Sequence, residues 1–85
     1  MSDDEKWSRC NLAKHALGIL VSHFSACIYT EKKGASPDHE QIEKWRNERA
    51  ELMRLRRTLT VNDMATIGRV IEEYGPRAKA IMGKE

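Results

Sequence analysis

Few residues in this chain interrupt regular backbone structure. Its 85 residues include two prolines and five glycines, and the glycines are scattered rather than gathered into a loop that cradles a phosphate. Proline and glycine destabilise helix interiors more than other residues, so their scarcity favours long helices. No segment alternates apolar and polar residues in the manner of a strand. The sequence therefore predicts an all-α protein.

The two cysteines do not form a disulfide with each other. Cys10 and Cys27 fall in one predicted helix, where they are separated by roughly 25 Å at 1.5 Å rise per residue. A disulfide needs Cα atoms within about 7 Å. We expect two free thiols and a reducing compartment.

The termini and the apolar segments give no sign of secretion or membrane insertion. The first residues, MSDDEK, are acidic and lack the basic region of a signal peptide. The segment Leu12–Tyr29 is apolar, but it also contains Lys14, two histidines and two serines, which are rare in an ordinary membrane span. We expect a cytoplasmic protein without a membrane-spanning helix.

The charge balance is weakly basic. Charged residues make up 33% of the chain and apolar residues 40%, and the formal net charge is +2. This composition is typical of a globular domain with a polar surface. It permits a nucleic-acid partner without favouring one, because dedicated binders usually have a larger or more one-sided imbalance.

Apolar spacing predicts three helices in a single domain that covers residues 1–85. Short loops between them favour a small three-helix bundle, or a helical hairpin with a third helix added. Gly75-Pro76 is expected to end or kink the third helix. The predicted helices cover about residues 4–29, 37–58 and 61–74, and a short C-terminal turn covers about residues 77–82.

Capping residues suggest where each helix begins. Ser2 or Asp3 is the expected cap of the first helix. Ser36 is the expected cap of the second, with Pro37 at the first helical position. Thr60 begins a segment that resembles a capping box, so the third helix is expected to start one residue later.

The first helix has an unusually broad apolar stripe. Six residues repeat at spacings of three and four, and four more widen the stripe. A stripe of this width usually faces more than one neighbour. The six are Cys10, Ala13, Leu17, Leu20, Phe24 and Cys27, and the four are Leu12, Ala16, Ile19 and Val21.

The second helix carries arginines where a buried seam needs apolar residues. Burying an unpaired guanidinium is costly, so these arginines either reach out from the edge of the seam, meet acids on another helix, or face another chain. Trp and Arg are common interface anchors. The seam reads Ile42, Trp45, Arg49, Leu52, Arg56, Leu59, and the expected partner-binding residues are Trp45, Arg49, Leu52 and Arg56.

Other cations of the second helix provide an alternative, a nucleic-acid contact. They sit among acidic residues and point in several directions, which also suits a solvated helix end. A helix-turn-helix with Gly68 at its turn would put Asp63 at a core position and Gly75-Pro76 inside the recognition helix, so that motif does not fit. The candidate contacts are Lys44, Arg46, Arg54 and Arg57.

The sequence lacks the residue groupings that carry catalysis or hold a metal. His23 and Cys27 are four residues apart and share a helix face, but a structural zinc site needs four ligands, and no other candidate ligand has motif spacing. No nucleophile, base and orienting acid occur together. We expect no enzyme activity, no cofactor and no metal site.

These observations predict a small non-enzymatic protein-interaction module. It would act as an adaptor, inhibitor or accessory subunit by binding a larger protein through a helix face, as a homodimer. The broad stripe of the first helix and the arginines in the seam of the second leave more surface to cover than 85 residues readily bury. The alternative is a nucleic-acid-binding regulator.

Overall fold

The computed structural model of the chain describes residues 3–83. It contains three α-helices: α1 at Asp3–Lys32, α2 at His39–Thr58 and α3 at Met64–Met82. No strand occurs within the described residues. The all-α class and the three-helix architecture expected from the sequence are therefore confirmed.

Helix α1 is the centre of the fold. Its partners α2 and α3 each pack against it, while no Cα atom of α2 lies within 8 Å of a Cα atom of α3. A short loop returns α2 antiparallel to α1, so that Arg49 lies beside Ser25 and Arg56 lies beside Lys14. A second short loop then turns α3 parallel to α1.

The core lies where the apolar stripes of all three helices meet. Leu17 and Ile67 are fully buried, and Leu52 is 4% exposed. The predicted stripe of α1 supplies most of this core, whereas Cys27 is only partly buried and Leu12 is exposed. The buried cluster comprises Cys10, Ala13, Leu17, Leu20, Phe24, Leu52, Leu59, Ile67 and Val70.

The molecule is a flat, elongated layer. Its Cα atoms extend over 53 × 25 × 15 Å, with a radius of gyration of 14.8 Å, against about 12 Å for a compact domain of this length. Its accessible surface is 6097 Å², about 900 Å² above the roughly 5,200 Å² expected for a monomer of its mass. The chain therefore leaves an unusually large area uncovered.

Helix α1 is longer than predicted. It ends at Lys32 rather than near residue 29, because the amide of Lys33 donates to the carbonyls of Tyr29 and Thr30 at 3.3 and 3.2 Å. Lysines at this position also interact favourably with the helix dipole. At the other end the helix begins at Asp3, and the alternative cap Ser2 lies outside the described residues.

Aspartates cap the other two helices, which corrects both predicted starts. Asp38, not Ser36, caps α2, and its carboxylate accepts the amide of Gln41 at 3.2 Å. Asp63 caps α3 and accepts the amide of Thr66 at 3.2 Å. A carboxylate both accepts the free amides of the first turn and interacts favourably with the positive end of the dipole.

Helix α3 continues through Gly75-Pro76 to Met82, so an end at this position and a separate turn at residues 77–82 were wrong, while the alternative of a kink stays a prediction. Proline removes a hydrogen bond to the carbonyl four residues earlier, here that of Glu72. Pro76 and Glu72 are both exposed, so the lost hydrogen bond falls on the solvent side of α3 rather than in the core. The extension brings Ile81 against the core, while Met82 remains 55% exposed.

The cap of α3 makes the stability of the fold depend on pH. Hydrogen bonds from the Thr66 side chain, and then from its backbone amide, lower the pKa of Asp63 below its ordinary value of 3.8. Because the pKa of this carboxyl is lower in the folded than in the unfolded state, the ionised carboxylate stabilises the fold at pH values above its unfolded pKa. This stabilisation is lost as the pH falls through its folded pKa.

We expect Asp63→Asn to remove this pH dependence while keeping a capping side chain. Urea unfolding followed by circular dichroism at pH 7, 4, 3 and 2 should show the wild type losing its advantage over the variant below about pH 4. Glu73→Gln, which removes an exposed charge elsewhere on α3, is the control. Parallel losses of stability in wild type and Asp63→Asn would contradict the assignment.

Candidate binding surfaces

Two of the four predicted partner contacts lie inside the fold. Leu52 belongs to the buried core, and Trp45 is half-buried and packs against that core. Both side chains face α1. The seam of α2 is therefore largely used for packing within the chain, and the prediction that it contacts a partner stays a prediction.

The two seam arginines reach α1 without meeting an acid. Arg49 is partly buried, and its Nη1 donates to the Ser25 hydroxyl at 3.1 Å. Arg56 is exposed, and its Nε donates to the carbonyl oxygen of Lys14 at 3.3 Å. Each arginine thus donates one hydrogen bond to an oxygen of α1. Neither arginine makes an ion pair within residues 3–83.

The four candidate nucleic-acid contacts are all exposed but do not form one site. Arg54 pairs with Glu51 at 3.6 Å, and both side chains are more than two-thirds exposed. Lys44 lies on another side of the helix from Arg46 and Arg57, by the 100° turn between successive residues. Arg57 lines a cavity that α2 shares with α1.

An open groove runs over the exposed side of α1 between its two partner helices. Three cavities of 580, 530 and 230 Å³ form it. The first two share His15, Ile19 and Met82, and the first and third share Gly18 and Arg56, so the groove is continuous. We call this groove the central trough.

The floor and walls of the central trough come from different helices. α1 forms the floor, α2 forms one wall and α3 forms the other. The floor includes Leu12, Lys14, His15, Gly18, Ile19, Ser22 and His23; the α2 wall includes Met53, Arg56 and Arg57; the α3 wall includes Ile71, Gly75, Lys79, Ile81 and Met82.

The central trough is apolar and basic. None of the residues that line its three cavities is an aspartate or a glutamate. Large apolar side chains remain open to solvent along it: Leu12 is 54% exposed and Met82 is 55% exposed. Its cations are Lys14, Arg56, Arg57 and Lys79.

Sequence patterns identified only part of this surface. Arg56 was a predicted contact and Arg57 an alternative one, whereas Leu12 and Ile19 were expected only to widen the packing stripe of α1. The core uses the opposite side of that stripe, which leaves these two residues on the floor of the trough. The excess width of the stripe was the available signal, because a stripe wider than its neighbours can cover leaves apolar side chains exposed.

The structure brings His23 and Cys27 together without forming a metal centre. The Cys27 sulfur lies 3.6 Å from His23 Nε2. No group of three or more His, Cys, Asp or Glu side chains within residues 3–83 is arranged to hold a metal ion. The two side chains are neighbours because they lie one helical turn apart on α1.

Helix α1 also passes a length and composition test for crossing a membrane. Its most apolar 18-residue window has a mean hydropathy of 1.2, and 33% of that window is buried in the fold. The core helix of a folded domain passes the same test, since its apolar residues face other helices. The expectation of a cytoplasmic protein stays a prediction.

Comparison of the chain with protein-family models, curated proteins and solved structures gives no match. Similarity to known proteins therefore gives no indication of what the chain does. The central trough is the feature of the molecule on which a function can be proposed.

The hydrogen bond between Arg49 and Ser25 is expected to stabilise the α1–α2 contact. A double-mutant cycle with Arg49→Met and Ser25→Ala should give a coupling free energy of about 1 kcal/mol in urea unfolding, since the donor is charged and partly buried. Arg46→Met, one helical turn earlier and exposed, is the matched control and should be additive with Ser25→Ala. Additivity of Arg49→Met with Ser25→Ala would show that the hydrogen bond contributes nothing.

Proposed function

We propose that this chain is a small non-enzymatic protein-interaction module, an adaptor, inhibitor or accessory subunit that binds a helix face of a larger protein in the central trough. The observation that carries the proposal is the trough itself: a continuous groove with exposed Leu12 and Met82 and with no acidic lining residue. Exposed contiguous apolar surface rimmed by polar groups is typical of interaction sites.

The chain as a whole exposes more surface than a compact monomer of its mass. Its accessible surface exceeds the expected value by about 900 Å², and the central trough is one part of that uncovered surface.

The non-enzymatic part of the proposal rests on the chemistry of the trough. Its lining offers arginine, lysine, histidine and serine side chains, but no carboxylate to orient a histidine base or to share a proton. Its thiol neighbour Cys27 is partly buried beside His23 in the C-terminal third of α1, away from the helix N-terminus, where thiols are activated.

The expected homodimer would use a different surface. Self-association through the trough would gather Lys14, Arg56, Arg57 and Lys79 of both copies into one interface, and like charges brought together weaken an interface. Outside the trough, α1 also has an exposed tyrosine, Tyr29, which is 60% exposed. The proposal for the trough therefore does not depend on oligomeric state.

Site-specific photo-crosslinking in the native host tests the proposal. Replacing Leu12 by benzoylphenylalanine puts the crosslinker on the trough floor, at a side chain that is already exposed. We expect one discrete protein adduct on irradiation. The same amino acid at Asn47, exposed on α2 and outside the trough lining, is the matched control and should not give that adduct. Identical adducts at both positions, or none at Leu12, would refute the proposed binding face.

The alternative function, nucleic-acid binding, is favoured by one observation. Lys44, Arg46 and Arg57 are exposed and make no ion pair within residues 3–83. Phosphate contacts of this kind give affinity that falls steeply with salt.

We expect a double-stranded DNA probe to bind no better than non-specifically, with a Kd weaker than about 10⁻⁶ M at physiological salt. Fluorescence anisotropy across a salt series measures it. A nanomolar complex that Arg46→Gln with Arg57→Gln abolishes, and that Arg77→Gln on α3 leaves intact, would favour the nucleic-acid function instead.

A further inference from the structure

We infer that the occupant of the central trough is an amphipathic α-helix of a partner protein, with acidic residues along one flank of its apolar stripe. This inference rests on the proposed function and names the chemistry of its partner. It follows from the shape of the trough and from the unequal chemistry of its two walls.

The shape of the trough fits a helix. Its floor follows α1 from Leu12 to His23, with a helix on each side; eleven steps of 1.5 Å give a length of about 17 Å, or three helical turns. A partner helix satisfies its own backbone hydrogen bonds, whereas an extended segment needs a free strand edge. The described residues contain no strand.

The two walls differ in chemistry. The α2 wall presents the guanidinium groups of Arg56 and Arg57, and Lys14 lies beside them on the floor. The α3 wall is mainly apolar, with Ile71 and Met82 lining the groove and Lys79 as its one lining cation. A helix with a leucine-type stripe toward α3 and carboxylates toward α2 matches both walls at once.

The basic wall is available to a ligand. Arg56 uses Nε on the Lys14 carbonyl, which leaves both terminal nitrogens of its guanidinium without a hydrogen-bond partner in residues 3–83. Arg57 is exposed and makes no ion pair in the same range. Arginine pairs with carboxylates through two parallel hydrogen bonds, and that geometry fixes the register of a partner.

Other occupants fit less well. A second copy of the chain would oppose like charges in the trough. A nucleic-acid duplex would match the basic wall, but it would set sugar and phosphate against the apolar α3 wall, where Ile71, Ile81 and Met82 offer no hydrogen bonds. A helix with an apolar stripe and one acidic flank is the occupant that matches both the apolar α3 wall and the basic α2 wall.

Gly18 lies on the floor of the trough and has no side chain to extend into it. Internal packing does not require a glycine at this position. A Cβ atom added there would contact only the Arg56 Nε, at 3.9 Å, an ordinary van der Waals distance. A leucine at this position would therefore extend from the floor into the trough, beside Arg56. An alanine would add one methyl group and raise helix propensity by up to about 1 kcal/mol.

Selection from a displayed peptide library tests the inference. The peptides are helical, about 14 residues long or roughly four turns, with a fixed leucine stripe and flanking positions randomised among Glu, Gln and Lys. Selection against the full chain should enrich Glu on one flank of the stripe. Enrichment of Lys, no preference among the three, or no binders at all would overturn the inference.

Variants of the full chain place the selected peptide in the trough. Arg56→Gln with Arg57→Gln should weaken its binding by roughly tenfold or more, and the affinity should fall with added salt. Arg46→Gln with Arg54→Gln, the same charge change outside the trough lining, is the matched control and should change binding little. Gly18→Leu should block binding, while Gly18→Ala should retain it. Urea unfolding must show that each variant is folded under the binding conditions, with the Gly18 variants expected to be more stable than the wild type, and equal effects of the two arginine pairs would refute the placement.

Competition separates this inference from the alternatives. A duplex DNA that displaces the selected peptide at equal concentration would indicate a general polyanion site. Loss of peptide binding as the chain dimerises in light scattering would indicate a second copy as the occupant. If a host protein crosslinks at Leu12 but the library shows no acidic preference, this inference fails and the proposed function stands; absence of that crosslink removes the proposed function itself.

Discussion

The stability of this fold depends on one helix, because α2 and α3 each pack closely against α1, while no Cα atom of α2 lies within 8 Å of a Cα atom of α3. A three-helix bundle usually shares its core among three mutual contacts. Here α1 supplies a stripe wide enough for two neighbours, and the side chains of Leu17 and Leu20 lie at the junction with almost no exposure. The third contact, between α2 and α3, is missing.

The missing contact explains the shape of the surface. Two helices that flank a third without meeting leave a groove along the outer side of the central helix, and the apolar residues of that side stay exposed. Leu12 and Ile19 lie there, on the same helix that fills the core from its other side. The architecture that makes the fold possible in 85 residues thus also produces the central trough.

The sequence predicts the helices and the core well, because both follow from the spacing of apolar residues. The helix starts were wrong because Ser36 and Thr60 are acceptable caps in isolation, and the nearby aspartates compete for the same role with a full charge. The continuation of α3 through Pro76 depends on which side of the helix meets water. The trough depends on the missing contact between α2 and α3, which no local pattern of residues encodes.

The net charge of +2 conceals how the charges are distributed. The sequence has 15 basic and 13 acidic residues, yet α1 has no acidic residue between Glu5 and Glu31. The residues that line the trough include four cations and no aspartate or glutamate. The local arrangement of charges, rather than their total, therefore decides which partner the trough attracts.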